Sequence, residues 1–258
     1  MARLQTLKLP KGVEIDEVSN DNLFTHPSAR SVPTTLAVKD YLHDEIDKHD
    51  QEFMPDGLYR NAIINGNFDI WQRGTSFTTT PGYTADRWMT YFNGGAGTVS
   101  RQEFTPGQTE VPGNPTYYLR MDITSNPTSE WHPAQLIEDV RSFAGQTVTL
   151  SFYTRSNIPT GEIRVYQMFG SGGSAAVSIY TESITLSPTW TKHVHTFDVP
   201  SVSGKTIGPG SHLMIRVPFF GQVIGQVDIA QVQLNIGDKP LPFAPRPIAE
   251  ELALCQRY

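Results

Sequence analysis

The side chains in this chain best suited to chemistry are aromatics and arginines spaced two residues apart. Strand side chains alternate between faces. Leu150 and Phe152 therefore fall on one face, and Tyr153 and Arg155 on the other. Ile163 and Val165 likewise oppose Arg164, Tyr166 and Met168, while Leu213, Ile215 and Val217 oppose Met214 and Arg216. Alternation offers an outer face of Tyr153, Arg155, Tyr166 and Arg216, to which Trp131 and Gln135 can add. Flat rings and planar hydrogen-bonding groups are what a sugar site needs. An ordinary half-exposed sheet or a subunit interface uses the same residue types, and is the plainer reading.

Other chemistry finds less support. His193 and His195 point the same way on a strand, and on a threefold axis three copies could hold a metal, but a solvated pair is expected. Gly170 to Ala175 fits the dinucleotide pattern G-x-G-x-x-A, yet a strand-like segment follows it instead of the helix whose N-terminus would meet a pyrophosphate. That stretch is a loop. The sequence has no nucleophile elbow and no H-E-x-x-H, and Cys255 sits in a terminal helical segment away from any histidine. A glycan depolymerase would need two carboxylates about 5 to 10 Å apart. Glu130, Glu138, Asp139, Glu182 and Asp198 are present, but spacing pairs none of them, so a non-enzyme is expected.

These groups must be positioned by strands. In 258 residues there are 13 Phe, 10 Tyr, 4 Trp, 21 Gly and 19 Pro, which suits many short strands joined by tight turns. Twenty basic residues against 26 acidic ones give a net charge of −6 with no basic run, which argues against nucleic acid or an anionic membrane surface as partner. One cysteine allows no internal disulfide. Eleven strands are predicted, near 62–69, 87–93, 98–104, 117–123, 131–138, 146–155, 162–169, 177–185, 190–199, 212–219 and 225–235. The first of them, N-A-I-I-N-G-N-F-D-I-W-Q-R-G from Asn61, should open a β-sandwich, with Gly66 marking a kink. Before it, residues 1–30 alternate weakly, and a helix is predicted over about 34–53. Val38, Leu42, Ile46, His49 and Phe53 form its apolar stripe, suited to self-association. Met54-Pro-Asp-Gly57 marks the domain boundary, and Pro247 starts a short C-terminal helix.

Three patches together resemble tail-fibre and related host-recognition proteins of tailed bacteriophages and prophages. The first is V-E-I-D-E-V-S-N-D followed by S-V-P-T-T-L-A-V-K-D-Y-L; the second pairs the Asn61 stretch with Y-T-A-D-R-W from Tyr83. The third is V-D-I-A-Q-V-Q-L from Val227, with P-F-A-P-R-P-I-A-E-E-L-A-L-C-Q-R-Y closing the chain. The sandwich also resembles carbohydrate-binding modules that open with an N-x-x-x-N-G-x-F-E strand and close with an acidic one. That resemblance implies a jelly-roll domain on a trimeric fibre, binding a surface glycan or holding the fibre to the virion. It also implies a structural calcium held by Asn67, Asp69 and Asp228, although Ile229-Ala230 follows Asp228 where the modules often carry a second acid.

The expected protein is mainly β: an anchoring and oligomerising stem over 1–57, a jelly-roll sandwich over 58–246 and a helix over 247–258. It would be a homotrimer of the virion tail fibre or baseplate, made in the host cytoplasm. Residues 1–30 would attach it to baseplate or other tail proteins, and its head would bind a host surface glycan. The alternative is a purely structural virion component whose sandwich binds other virion proteins.

Overall fold

A computed structural model of the chain describes residues 61–78 and 81–256, and the backbone of four short strands nearer its start. The chain divides into two compact units, Met1–Pro55 and Asp56–Tyr258. In the first, β1 (Leu7–Lys8) pairs antiparallel with β2 (Glu14–Ile15), and β3 (Glu17–Ser19) pairs parallel with β4 (Ser31–Pro33). The predicted helix over 34–53 and its stripe of Val38, Leu42, Ile46, His49 and Phe53 lie outside the described residues.

The second unit is a sandwich of two six-stranded antiparallel sheets with a jelly-roll arrangement. The front sheet contains, in spatial order, β13 (Val177–Thr185), β12 (Thr160–Met168), β15 (His212–Phe219), β10 (Trp131–Glu138), β7 (Trp88–Phe92) and β6 (Gly82–Tyr83). The back sheet contains β14 (Thr191–Asp198), β11 (Thr147–Ser156), β16 (Gly225–Ile236), β9 (Tyr117–Ser125), β8 (Ala96–Glu103) and β5 (Ser76–Thr78). From β9 to β12, and again from β13 to β16, each strand lies in the opposite sheet to the one before it, so the chain wraps around its core. Strands β7 to β16 fall where alternation predicts them. Their inward residues form one cluster, with Val148, Leu150 and Phe152 of β11 meeting Ile163, Val165, Leu213, Ile215 and Val217 of the front sheet. In β16, Gln231 takes a φ of +48°, and β11 shifts register opposite it. This bulge resets the alternation, so that Ile229 and Val232, three apart, both face inward.

Residues 62–69, predicted as the opening strand, form a buried turn instead. Asn65 and Phe68 have φ values of +55° and +57°. The cause is the Asn65 side chain, which satisfies backbone groups that a ladder would otherwise pair. Its Nδ2 donates to the carbonyls of Ile70 and Asp86 at 2.9 Å, and its Oδ1 accepts from the Ile70 N–H at 3.0 Å. Gly66 is needed because a Cβ there would lie 2.1 Å from the Val232 carbonyl oxygen. Ile63, Phe68, Ile70 and Trp71 are nonetheless buried. The final helix, α1 (Ile248–Cys255), begins directly after Pro247, as predicted.

Candidate functional site

The six glycan candidates do not share a face. Tyr153 and Arg155 lie on β11 in the back sheet; Tyr166 and Arg216 lie on β12 and β15 in the front sheet. Trp131 and Gln135 share the parity of the core residue Ile137 and point inward. Trp131 stacks on Phe220 at 4.2 Å and donates its indole N–H to the Val223 carbonyl at 2.9 Å. Gln135 accepts from the Ile64 N–H at 2.8 Å and donates to the Ile64 carbonyl at 2.7 Å, which pins the opening turn. Both side chains are structural, and neither is offered to a ligand.

The outer face of the back sheet is closed by a second small core. Phe104, Val111, Tyr118, Trp190 and Ala230 are buried there, with Tyr153 packed against them. At its edge lies Asp228, whose side chain is fully buried. Its Oδ1 accepts from Arg120 at 2.7 Å, while Oδ2 accepts from Arg120 at 2.9 Å and from Arg155 at 2.7 and 3.0 Å. The Arg155 guanidinium also stacks 5.0 Å from the Trp190 ring centre and 5.5 Å from that of Tyr118. A buried carboxylate between two fixed arginines is a tie between strands.

That tie removes Asp228 from the calcium grouping, because both its oxygens are taken by arginine. Asn67 and Asp69 do adjoin each other, with Asn67 Nδ2 donating to Asp69 Oδ2 at 3.0 Å. Burial holds the Asp69 carboxyl above its ordinary range. Among the described residues, however, no three His, Cys, Asp or Glu side chains are grouped to hold a metal, and the residues present do not fit a calcium built on this trio. Beside Asn67 and Asp69, the C-terminal segment fastens the opening turn with its own cation. Arg246 donates to the Ile63 carbonyl at 2.9 Å, to the Asn61 carbonyl and to Glu251 at 3.1 Å, and Glu251 accepts from the Asn65 N–H. Two of the patches singled out in the sequence are thus halves of one latch.

The open outer face belongs to the front sheet. At one end the Tyr91, His132 and Phe219 rings pack in series, with centres 4.9 and 5.1 Å apart. His132 is fully buried there, and neither ring nitrogen has a hydrogen-bond partner among the described residues. Burial, aided by the charges of Arg216 and Arg164, lowers its pKa to about 2. Next along the strands, Arg216 pairs with Ala134 on one side and Arg164 on the other. The Arg216 guanidinium lies 5.4 Å from the Tyr91 ring centre and 5.0 Å from that of Tyr166, and Arg164 lies 3.5 Å over Phe219. Two residue pairs beyond Ala134, at Leu136, an open groove of about 530 Å³ begins, bordered by Tyr83, Arg87, Glu138 and His212. His212 Nδ1 lies 2.8 Å from the Gly210 carbonyl oxygen. A carbonyl only accepts, so Nδ1 carries the proton in the neutral ring. Nε2, an acceptor without a partner among the described residues, is itself buried and closed off from the groove.

This face offers aromatic surface and a held cation, a set suited to binding. Its carboxylates Glu130, Glu138 and Glu162 each adjoin an arginine, at 3.9, 2.9 and 2.7 Å. Of its residues, the parity argument had found Tyr166, Arg216 and Arg164. Tyr91, His132 and Phe219 are not among the sequence candidates; in β7 the outward Tyr91 is an aromatic like the inward Trp88 and Phe92, so residue type does not mark which face is open. His193 and His195, expected in solvent, turn toward the sandwich interior instead. Their rings lie 5.1 and 6.5 Å from Phe152, and His193 Nε2 lies 2.8 Å from Thr154 Oγ1. Desolvation lowers His193 to about 4.

No protein-family model matches the chain, and no curated protein matches it. Among solved structures, it is similar to the enzymatically active domain of tailspike protein 4 from bacteriophage CBA120, at 14% identity and a TM-score of 0.44. That match covers 70% of this chain and 22% of the tailspike chain, so this chain spans about a fifth of its length. A putative sugar-binding protein from Bacteroides thetaiotaomicron is similar at 16% identity and a TM-score of 0.44, over 69% of this chain and all of the other. The family 11 carbohydrate-binding module of a Clostridium thermocellum cellulosomal cellulase is similar at 14% identity and a TM-score of 0.40, over 58% of this chain and 88% of the module.

Proposed function

We propose that this protein is a virion tail-fibre or baseplate-attached component of a bacteriophage or prophage that helps recognise the host surface, its sandwich gripping a glycan. The observation that carries the reading is the outer face of the front sheet, where Arg216 lies between two tyrosines and an open groove bordered by Tyr83, Arg87, Glu138 and His212 follows. Pyranose rings stack on aromatic side chains such as Tyr91 and Tyr166, and their oxygens accept from groups such as the Arg216 guanidinium. The virion assignment draws on the three-patch resemblance to tail-fibre proteins. In this reading residues 1–57 form the stem of a homotrimer. Each head binds weakly, and three heads on one stem add avidity when glycans are spaced to match.

The test compares the full-length protein with a fragment beginning at Gly57, close to the start of the second compact unit, on susceptible and resistant host cells, with solution mass recorded for both. Selective binding by a trimer, much weaker in a monomeric fragment, is expected. A well-folded trimer that binds neither cell type would overturn the receptor reading and favour a structural component bound to other virion proteins.

A further inference from the structure

We infer that the glycan taken by the front sheet is an acidic one, with Arg216 receiving a sugar carboxylate; this rests on the glycan reading above. Most arginines near these faces give their donors to carboxylates. Arg120 and Arg155 give theirs to Asp228, Arg164 donates to Glu162 at 2.7 Å, and Arg87 donates to Glu138 at 2.9 Å. Arg216 differs. Among the described residues its Nε meets only the thioether sulfur of Met214 at 3.2 Å, a weak acceptor, and its closest carboxylate oxygen, on Glu130, is 3.9 Å away. At that distance the pair attracts without forming a hydrogen bond.

The guanidinium is also held ready. Tyr91 and Tyr166 flank it, and its side chain is 18% exposed, so it is partly desolvated and little orientational freedom remains to be lost on binding. A planar fork with unspent N–H groups in such a setting matches a carboxylate, which accepts two parallel charge-assisted bonds. A neutral sugar would offer it only uncharged oxygens. Glu130 is then a resting counter-ion that competes with the incoming acid.

The full-length protein is applied to glucuronic-, galacturonic- and sialic-acid oligosaccharides, each beside its carboxyl-reduced form. Preferred binding to at least one acid form is expected, by about tenfold or more over its reduced partner. Arg216→Gln should reduce acid binding to the level of the reduced form, and Arg216→Lys, which keeps charge but loses the fork, should fall between. Glu130→Gln should strengthen acid binding by a few-fold, an effect that simple damage to the fold cannot mimic. Equal binding of acid and reduced forms, with Arg216→Gln affecting both alike, would overturn the acidic class and leave the glycan reading standing. If none of the oligosaccharides binds while the protein still binds host cells selectively, the acid inference fails without the receptor reading. Failure of both assays overturns both.

Discussion

Replacing His132 with Phe should remove a defined part of the acid sensitivity of the sandwich. In the folded chain His132 stays neutral down to about pH 2, whereas in the unfolded chain it protonates near its ordinary 6.5. Protons therefore bind the unfolded state more strongly between these values, and stability falls as pH drops through that window. At pH 5.0 the gap is 1.5 pH units below 6.5, and at 1.36 kcal/mol per unit the loss from this one residue is about 2 kcal/mol. The variant should not suffer it. At pH 7.5 His132→Phe should be at least as stable as the parent, because the lost ring nitrogens have no partners among the described residues. Reversible urea unfolding of both proteins at pH 7.5 and 5.0 measures the difference directly. For a sandwich of roughly 200 residues, about 2 kcal/mol also corresponds to a melting shift of roughly 4 to 8 °C between the two proteins at pH 5.0. If both lose the same stability over this range, within about 0.5 kcal/mol, His132 is not a buried neutral base and the reasoning fails.

Two further substitutions test the packing assignments. Asp228→Asn strips the charge that holds Arg120 and Arg155; since these arginines are 25% and 31% exposed, the expected cost is about 3 kcal/mol, at the low end for a broken buried pair. Thermal melts measure it, and saccharide binding per folded molecule should be unchanged, because this carboxylate lies on the opposite sheet from the proposed site. Arg246→Met should cost about 3 to 5 kcal/mol by leaving Glu251 buried without its cation, and adding Glu251→Gln should recover part of that loss; an additive double mutant would refute the latch.

Much of the sandwich was legible in the sequence because its strands are regular: inward aliphatics at every second position of β11, β12 and β15 define the core faces without knowledge of their partners. The opening turn was not legible. Ile63, Phe68 and Trp71 are as apolar as a strand requires, but whether Asn65 captures the Ile70 and Asp86 backbone is decided by residues distant in sequence. The site was only half legible for a related reason. Parity says which residues share a face of one strand, but not which sheet that strand joins. Tyr153 and Tyr166 therefore looked like neighbours and are on opposite sides of the protein. Trp131 and Gln135 could have been excluded by the same rule, since Ile137 shares their parity.

The two outer faces carry the same kinds of residue, and their central positions explain why one is closed and the other open. On the back sheet a carboxylate, Asp228, pairs across strands with Arg120 on one side and Arg155 on the other, and draws both guanidinia onto itself. The surrounding rings can then pack down, and Phe104 and Trp190 become buried. On the front sheet the equivalent neighbour of Arg216 on β10 is Ala134, which offers no charge and no length. Arg216 finds its contacts in ring faces and the Met214 sulfur, and among the described residues it donates to no oxygen. The composition of the two patches alone does not distinguish a structural tie from a binding surface. A carboxylate within hydrogen-bond distance does, and since Glu130 stands 3.9 Å from Arg216, a hydrogen-bonded carboxylate is the group a ligand is proposed to bring.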